Sequence, residues 1–150
     1  MKDINKIFLM PTEKTPMIDF NNLTGELVLS GRSIPENAAK VYEPLLSWTQ
    51  DYISDARTTT NFRLNLEYLN TSSSLWISKI VKTLCGIKNK ENVLLVHLYF
   101  NIEDFDSMED IEDEISPITN IISKAPLSVG CRIYGTDNNG RVLKESRIFI

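Results

Sequence analysis

Apolar and polar residues alternate in two parts of the chain, with the period of a β-strand that buries one face. Residues 15–33, "TPMIDFNNLTGELVLSGRS", predict two short strands around a turn at Asn21 to Gly25. Residues 59–70 predict a single strand, which carries one apolar series on the same side: Phe62, Leu64, Leu66 and Tyr68.

Two other regions are also typical of strands. "NVLLVHLYF", residues 92–100, is a nearly continuous run of apolar, β-forming residues, which predicts a central strand covered on both faces. Near the C-terminal end, "LSVGCRIYG" and "RVLKESRIFI" flank "TDNNG". The Asn-Gly pair of that connection favours a hairpin turn between two strands.

Three segments have apolar residues at the spacing of an amphipathic helix. The first, residues 34–53, contains Pro44, so the helix either kinks there or begins near it. The second runs from Ser72 to Gly86, and the third, residues 106–126, contains Pro117 as an expected kink. The apolar stripes of the three helices are Val41, Leu45, Trp48, Thr49 and Tyr52; Ile77, Ile80, Val81 and Leu84; and Ile111, Ile115, Ile118 and Ile122.

Strands that alternate with helices in this order predict an α/β fold. We expect a single mixed β-sheet of about five or six strands, covered by three main helices, with residues 62–68 at its centre. No linker, repeat or low-complexity segment interrupts residues 1–150, so the sequence predicts one domain.

Composition and charge limit the partners. The 150 residues are 42% hydrophobic and carry a net charge of −4. An acidic chain is not expected to bind nucleic acid or anionic membranes, both of which favour a basic surface. No apolar run reaches the roughly 18 residues needed to span a bilayer, so membrane insertion is not expected either. Cys85 and Cys131 lack CxxC spacing, which favours reduced thiols in a cytoplasmic protein.

The reactive side chains favour neither a catalytic site nor a metal or cofactor site. The single histidine, His97, lies in the most apolar strand, where a buried, hydrogen-bonded residue is favoured over a general base. Eight carboxylates lie in residues 103–114, without the ligand pattern or the glycine of an EF-hand loop. We interpret them as the solvated N-terminus of the third helix, on a face that could also meet a basic partner.

Four hydroxyl residues, Thr71 to Ser74, follow Asn70 where the strand gives way to the second helix. Asn, Ser and Thr accept hydrogen bonds from the free N–H groups of a first helical turn, so capping explains their location. Capping needs only one or two of them. A phosphorylated hydroxyl also suits a helix N-terminus, whereas a catalytic nucleophile would need an activating base, and none is visible in the sequence.

Three segments in combination resemble the SiaC family of bacterial regulatory phosphoproteins: "SGRSIPENA" from Ser30, "YEPLLSW" from Tyr42 and "YLNTSS" from Tyr68. The resemblance covers most of the chain and is strongest over residues 15–76. It implies one SiaC-like regulatory domain with a STAS-like fold, similar to that of anti-sigma-factor antagonists. In such folds a phosphorylatable hydroxyl lies at the N-terminus of the helix that follows a central strand.

The same resemblance implies that Thr71 is the phosphorylated residue. A serine/threonine protein kinase would add the phosphate, and a PP2C-type phosphatase would remove it. The unphosphorylated protein would bind and activate a diguanylate cyclase, which raises cyclic di-GMP and favours biofilm growth, and it would have no enzymatic activity of its own. We expect the partner-binding residues to lie beside Thr71 and in the turn that enters the first helix: Asn70, Ser72, Ser73, Ser74, Pro35, Glu36 and Asn37.

Two other classes of function stay open. A STAS-like anti-sigma-factor antagonist shares the chemistry of the corner but has a different partner. A small-molecule-binding or hydrolytic domain would use the hydroxyls directly, and it predicts a deep pocket beside them. An adaptor predicts a shallow, exposed surface instead.

Overall fold

The computed structural model describes residues 4–149, so Met1 to Asp3 and Ile150, the last residue of the predicted hairpin, lie outside it. The strands are β1 (Ile7–Leu9), β2 (Met17–Asn21), β3 (Glu26–Ser33), β4 (Thr59–Leu69), β5 (Val93–Asn101), β6 (Ser128–Thr136) and β7 (Val142–Phe149). The helices are α1 (Ala38–Tyr52), α2 (Thr71–Leu84) and α3 (Met108–Ile122), with short 3-10 turns at Ile53–Asp55 and Ile102–Asp104.

The described strands form one seven-stranded sheet in the order β1-β2-β3-β4-β5-β6-β7. Strands β3, β4, β5 and β6 are parallel to one another, while β1 and β2 on one side and β7 on the other are added by antiparallel pairing. The predicted α/β fold, with a mixed sheet and three main helices, is confirmed, and β4 lies at its centre. Because the ends of parallel strands meet at one edge of a sheet, the connections that follow β3, β4, β5 and β6 lie together.

The expected number of strands was too low. The additional strand is β1, whose three residues pair with β2 from Ile7 opposite Phe20 to Leu9 opposite Ile18. A segment of three residues is too short to display a period of two, and for this reason the sequence pattern did not reveal it.

The core lies between one face of the sheet and the three helices, in a single cluster of buried side chains. Inward-facing residues alternate along the strands, as at Leu27 and Leu29 of β3 and at Phe62 and Leu64 of β4. All three β-α-β connections join neighbouring parallel strands, and right-handed crossovers place their helices on the same face.

The expectation that β5 is covered on both faces was wrong. Its second face carries His97 and Tyr99, which are shielded by neighbouring side chains of the sheet instead of by a helix. The Nε2–H of His97 donates to Asn61 Oδ1 at 2.8 Å, and Tyr134 donates to His97 Nδ1 at 2.8 Å. The imidazole is only 1% exposed, so the prediction of a buried, hydrogen-bonded histidine is confirmed.

The prolines do not end the helices that contain them. Pro44 lies inside α1, which begins at Ala38, and Pro117 lies inside α3. The alternative that the first helix begins near Pro44 is therefore wrong. None of the helices in the described part of the chain is long and apolar enough to cross a membrane.

Candidate functional site

Helix α2 begins at Thr71, directly after the last residue of β4 and one capping residue, Asn70. The side-chain oxygen of Asn70 accepts a hydrogen bond from the N–H of Ser73 at 2.9 Å, and its carbonyl accepts from Ser74 N–H at 3.1 Å. The N–H groups of Thr71 and Ser72 lie in the first turn of α2, where no helix carbonyl four residues earlier can accept their hydrogen bonds. Within the described residues they have no other partner. The helix therefore presents two free N–H groups next to the Thr71 hydroxyl.

The four consecutive hydroxyl residues differ in exposure. Thr71 and Ser72 are exposed, Ser74 is half-buried, and Ser73 is fully buried. The side chain of Ser73 therefore points into the protein and is not accessible in this structure, whereas its contact with a partner stays a prediction. Of the four residues, Thr71 and Ser72 are the exposed ones.

The buried hydroxyl of Ser73 belongs to a network that links three elements. Ser33 Oγ, at the end of β3, donates to Ser73 Oγ at 2.8 Å and lies 2.5 Å from the hydroxyl of Tyr42 on α1. All three side chains have 0% exposure. Burial raises the pKa of Tyr42, so its phenol stays protonated and serves as the donor to Ser33. The network joins the first turn of α2 to β3 and α1.

The turn between β3 and α1 lies against the same corner. Asn70 N–H donates to the carbonyl of Ser33 at 2.9 Å, and Asn70 Nδ2 donates to the carbonyl of Pro35 at 3.2 Å. Glu36 is exposed and forms an ion pair with Lys14 at 3.2 Å. The turn and the hydroxyl residues are thus neighbours.

Two residues of that turn have mainly structural contacts. Pro35 is buried, and its carbonyl accepts a hydrogen bond from Asn70, so its visible contacts are within the protein and its role in partner binding stays a prediction. Asn37 caps α1 by accepting from Lys40 N–H at 3.4 Å, although its side chain remains exposed.

Exposed apolar side chains surround Thr71. Leu75 lies one helical turn after Thr71 on α2 and is 61% exposed, while Leu69, just before Asn70, is 44% exposed. Ile34 follows Ser33, which pairs with Leu69 across β3 and β4. We call the exposed residues Ile34, Tyr68, Leu69, Thr71, Ser72 and Leu75 the corner surface. Exposed apolar groups in one place are typical of a protein-binding surface.

Two cavities lie away from the corner surface. One, of about 400 Å³, runs along the outer side of α1 at Ala39, Lys40, Glu43, Pro44 and Ser47. The other, of about 280 Å³, lies between the start of α3 and the β6–β7 hairpin. Neither is lined by residues 70–74, so neither supplies the deep pocket that a small-molecule site at the hydroxyls would require.

The remaining candidates for reactive chemistry are held in unreactive states. Burial, together with the charges of Arg63 and Arg132, lowers the pKa of His97 to about 4, so the ring is neutral near pH 7. Burial also raises the pKa of the free thiols of Cys85 and Cys131 to about 11, which disfavours the nucleophilic thiolate. Within the described residues, no group of three or more His, Cys, Asp or Glu side chains is arranged to hold a metal ion.

The sequence contains signals for the burial of Ser33 and Tyr42, which the predicted core did not include. Ser33 lies an even number of residues after Leu27 and Leu29 in β3, so its side chain is on the same face of the strand and points into the core. A polar side chain at that position requires a buried hydrogen-bond partner. Tyr42 lies at helical spacing from the predicted apolar residues Leu45 and Thr49, but it was absent from the predicted stripe.

The fold and the corner define a small α/β domain that exposes a threonine at the start of the helix after its central strand. The chain belongs to the SiaC family: the sequence model described as "SiaC family regulatory phosphoprotein" matches residues 9–124. The family suggested by the three sequence segments is thereby confirmed. Strands β6 and β7 lie beyond the matched residues.

The chain is also similar to a protein of Pseudomonas aeruginosa. An uncharacterized protein of strain UCBPP-PA14 is 34% identical over 62 residues, which are 41% of this chain and 49% of that protein. The match thus spans about half the length of that relative.

The fold is shared with solved structures of the family. Apo-SiaC from Pseudomonas aeruginosa superposes with a TM-score of 0.66 at 19% identity, over 84% of this chain and 98% of that one. The crystal structure of the diguanylate cyclase SiaD with its activator SiaC, from the same organism, gives a TM-score of 0.67 at 19% identity, over 85% and 99% of the two chains.

Proposed function

We propose that this protein is a phospho-switch adaptor, which binds and activates a diguanylate cyclase while Thr71 is unmodified and releases it once Thr71 is phosphorylated. A serine/threonine protein kinase adds the phosphate and a PP2C-type phosphatase removes it, both in the cytoplasm. Membership in a family of regulatory phosphoproteins supports the switch, and the activator role of SiaC towards SiaD in Pseudomonas aeruginosa supports a cyclase as the partner. The observation that carries the proposal is an exposed hydroxyl, that of Thr71, at the first residue of α2.

Position distinguishes Thr71 from the other hydroxyl residues. Ser73 is fully buried and Ser74 is half-buried, so a kinase has poorer access to either. Ser72 is exposed, but Thr71 lies at the junction with β4, where a side chain points outward while free N–H groups remain close to its oxygen. The branched Cβ of threonine also limits the directions that a phosphate can take.

The corner surface supports binding of an apolar partner. A docked cyclase covers Ile34, Leu69 and Leu75 and makes polar contacts with Asn70, Ser72, Ser74, Glu36 and Asn37 around them. Burial of apolar side chains supplies affinity, at about 25 cal/mol per Å² of area removed from water. The unmodified hydroxyl of Thr71 adds no charge to this contact.

A phosphate changes the surface without requiring a change of fold. In the free protein the added charge, about −1.5 to −2, is stabilised by the N-terminus of α2 by roughly 0.3–1 kcal/mol. Against a docked apolar partner the same charge loses water without gaining a counter-charge, which costs several kcal/mol. A cost of about 3 kcal/mol corresponds to a loss of roughly 150-fold in affinity.

The surroundings of Thr71 support a binding role instead of catalysis. The chain contains a single histidine, and its two ring nitrogens are occupied by Asn61 and Tyr134 on the face of the sheet opposite the helices. The hydroxyl of Thr71 therefore lacks a histidine base that would activate it as a nucleophile.

Phosphorylation followed by a binding assay tests the proposal. The protein is incubated with the kinase and ATP, and the modified residue is mapped by mass spectrometry, with Ser72→Ala as the matched control for the neighbouring exposed hydroxyl. We expect a single phosphate on Thr71 in both the natural protein and Ser72→Ala. Labelling of Ser72 in the natural chain, with Thr71 unmodified, would contradict the assignment.

The second readout is activation of the cyclase, measured as cyclic di-GMP formed per minute and as affinity by calorimetry. Thr71→Ala is expected to bind and activate, whereas Thr71→Asp is expected to do neither. Leu75→Ser is expected to weaken binding while the phosphate is still accepted. Equal binding by Thr71→Ala and Thr71→Asp would show that charge at this position does not control the complex.

A further inference from the structure

The cavity of about 280 Å³ lies two strands away from the corner surface, about 10 Å across the sheet from β4 to β6. Its walls come from the connection between β5 and α3 and from strands β6 and β7. The lining residues are Ile102, Phe105, Asp106, Ser107, Ile111, Ile133, Gly135, Lys144 and Ser146. Most of the lining surface is apolar.

The C-terminal hairpin builds one wall of this cavity. Gly135 of β6 allows the β5–α3 connection to come close, since a Cβ at that position would lie 2.6 Å from Ile102 Cγ2. Lys144 and Ser146 of β7 are opposite Gly135 and Ile133 in the strand register. Because β6 and β7 lie beyond the residues that the family model matches, this wall is not part of the matched region.

We call residues 101–110 and the β6–β7 hairpin, which flank the cavity, its rim, and hydrogen bonds join these two segments. Asn101 Nδ2 donates to Asn138 Oδ1 at 2.7 Å, and Asn138 Nδ2 donates to Glu103 Oε2 at 3.1 Å. Phe105, which lines the cavity, packs edge to face against Phe100 with ring centroids 5.3 Å apart. A rim that is already ordered lowers the entropy cost of binding.

The segment that leads from β5 into α3 is strongly acidic. It carries five exposed carboxylates, of which Asp106 lines the cavity while the others lie along the same segment: Glu103, Asp104, Asp106, Glu109 and Asp110. Among the lining residues whose side chains the structure describes, Lys144 is the one cation. An anionic ligand is disfavoured here, and a cationic one is attracted.

We propose that this cavity is a second docking site, which takes one large apolar side chain from a basic segment of a partner protein. The apolar interior receives the side chain, and the carboxylates at the rim pair with the lysines or arginines on either side of it. A volume of about 280 Å³ lies below the range of roughly 300–1,000 Å³ that drug-sized ligands occupy, which favours a single side chain over a free small molecule. The site assigns a role to two features that the Thr71 switch does not use, the acidic run and the C-terminal hairpin.

Selection from a random 12-residue peptide library on the full-length protein identifies what the cavity binds. Ser146→Leu fills the cavity from its rim without changing the charge, so it serves for counter-selection once its thermal melt shows that it is folded. We expect the enriched peptides to share one large apolar residue flanked by lysines or arginines. Enrichment of neutral or acidic peptides, or the absence of any peptide that prefers the natural chain to Ser146→Leu, would overturn the proposal.

Affinities of the best selected peptide separate the contribution of the cavity from that of its rim. Ser146→Leu should weaken binding by about 10- to 100-fold, because a buried apolar side chain loses its place. Asp106→Asn with Asp110→Asn should weaken it about fivefold and reduce its dependence on salt. The control pair Asp113→Asn with Glu114→Gln removes the same charge further along α3 and should change the affinity less than twofold. Equal losses of affinity for both pairs would show that the carboxylates next to the cavity have no special role.

Two further measurements complete the test. Thr71→Asp should leave the affinity of the peptide unchanged, so this site and the Thr71 switch can fail independently of each other. Self-association of the natural chain that Ser146→Leu abolishes would identify a second copy as the occupant and would overturn the assignment to another protein.

Discussion

Replacement of Ser33 by alanine removes the middle member of the buried hydroxyl network, and we expect a large loss of stability. Ser33 Oγ lies 2.5 Å from Tyr42 OH and 2.8 Å from Ser73 Oγ, and all three side chains are fully buried. Alanine leaves the other two hydroxyls without this partner. Each buried polar group that loses its hydrogen bond costs about 1–3 kcal/mol, so Ser33→Ala, which affects two groups, should lower the free energy of unfolding by about 2–6 kcal/mol.

The matched comparison is Tyr42→Phe, which removes a hydroxyl from the end of the network. Ser33 still donates to Ser73 in this variant, so the expected loss is about 1 kcal/mol. The double variant should lose less than the sum of the two single losses, because the unpaired hydroxyl of Tyr42 is no longer present.

Urea denaturation at pH 7, followed by tryptophan fluorescence, measures these differences, and equal m-values show that the same surface unfolds in each variant. A loss below about 1 kcal/mol for Ser33→Ala would mean that the buried hydroxyls find other partners. Additive losses in the double variant would show that Ser33 and Tyr42 act separately, and the idea of one network would then be wrong.

Three other predictions use the same denaturation assay. Asn70→Ala should cost about 1 kcal/mol through the lost cap of α2, while Asn70→Asp, which keeps an acceptor, should cost less. His97 has a folded pKa of about 4 against an ordinary value of 6.5, so the unfolded chain binds the proton first. Stability should therefore be complete above about pH 6.5 and fall by roughly 3 kcal/mol as the pH drops towards 4, a slope that His97→Gln should remove. Thr71→Asp should be as stable as the natural protein or up to about 1 kcal/mol more stable, since a negative charge is favoured at a helix N-terminus; a loss of stability would mean that the switch acts by disrupting the fold.

The sequence predicted the elements that have a long and regular pattern. The alternation in β4 and the helical spacing in α2 placed the junction between them within one residue, because two different periods meet there. The Asn-Gly pair correctly predicted a turn, in which Gly140 has φ +82°. Strand β1 was missed because its three residues are too few to show a period.

Burial on the second face of the sheet was harder to predict. The apolar run of β5 indicated coverage on both faces, but a polar network that includes His97 and Tyr99 lies on one of them. The shielding comes from side chains of β4 and β6, such as Asn61 and Tyr134, which are far away in sequence. Contacts between distant segments of this kind leave no periodic signal.

The candidate site was predictable in location but not in the role of each residue. Four adjacent hydroxyls look alike in the sequence, yet one of them, Ser73, is buried, because it meets Ser33 from a strand 40 positions earlier. Pro35 belongs to a turn that was expected to contact a partner, and its side chain is buried while its carbonyl holds Asn70. Exposure at a corner depends on which neighbours pack there, and the sequence of the corner alone does not contain that information.

The parallel pairing of β3 and β4 places Thr71, the proposed switch residue, on a corner of the protein that is already ordered. Because these strands run in the same direction, the turn after β3 and the start of α2 meet at one edge of the sheet, where Asn70 and Ser73 are held by Ser33 and Pro35. The residues beneath the corner surface are therefore already fixed by hydrogen bonds in the unmodified protein. In the function that we propose, a phosphate on Thr71 adds its charge to the outside of this ordered corner, and the partner would have to bury that charge without a counter-ion.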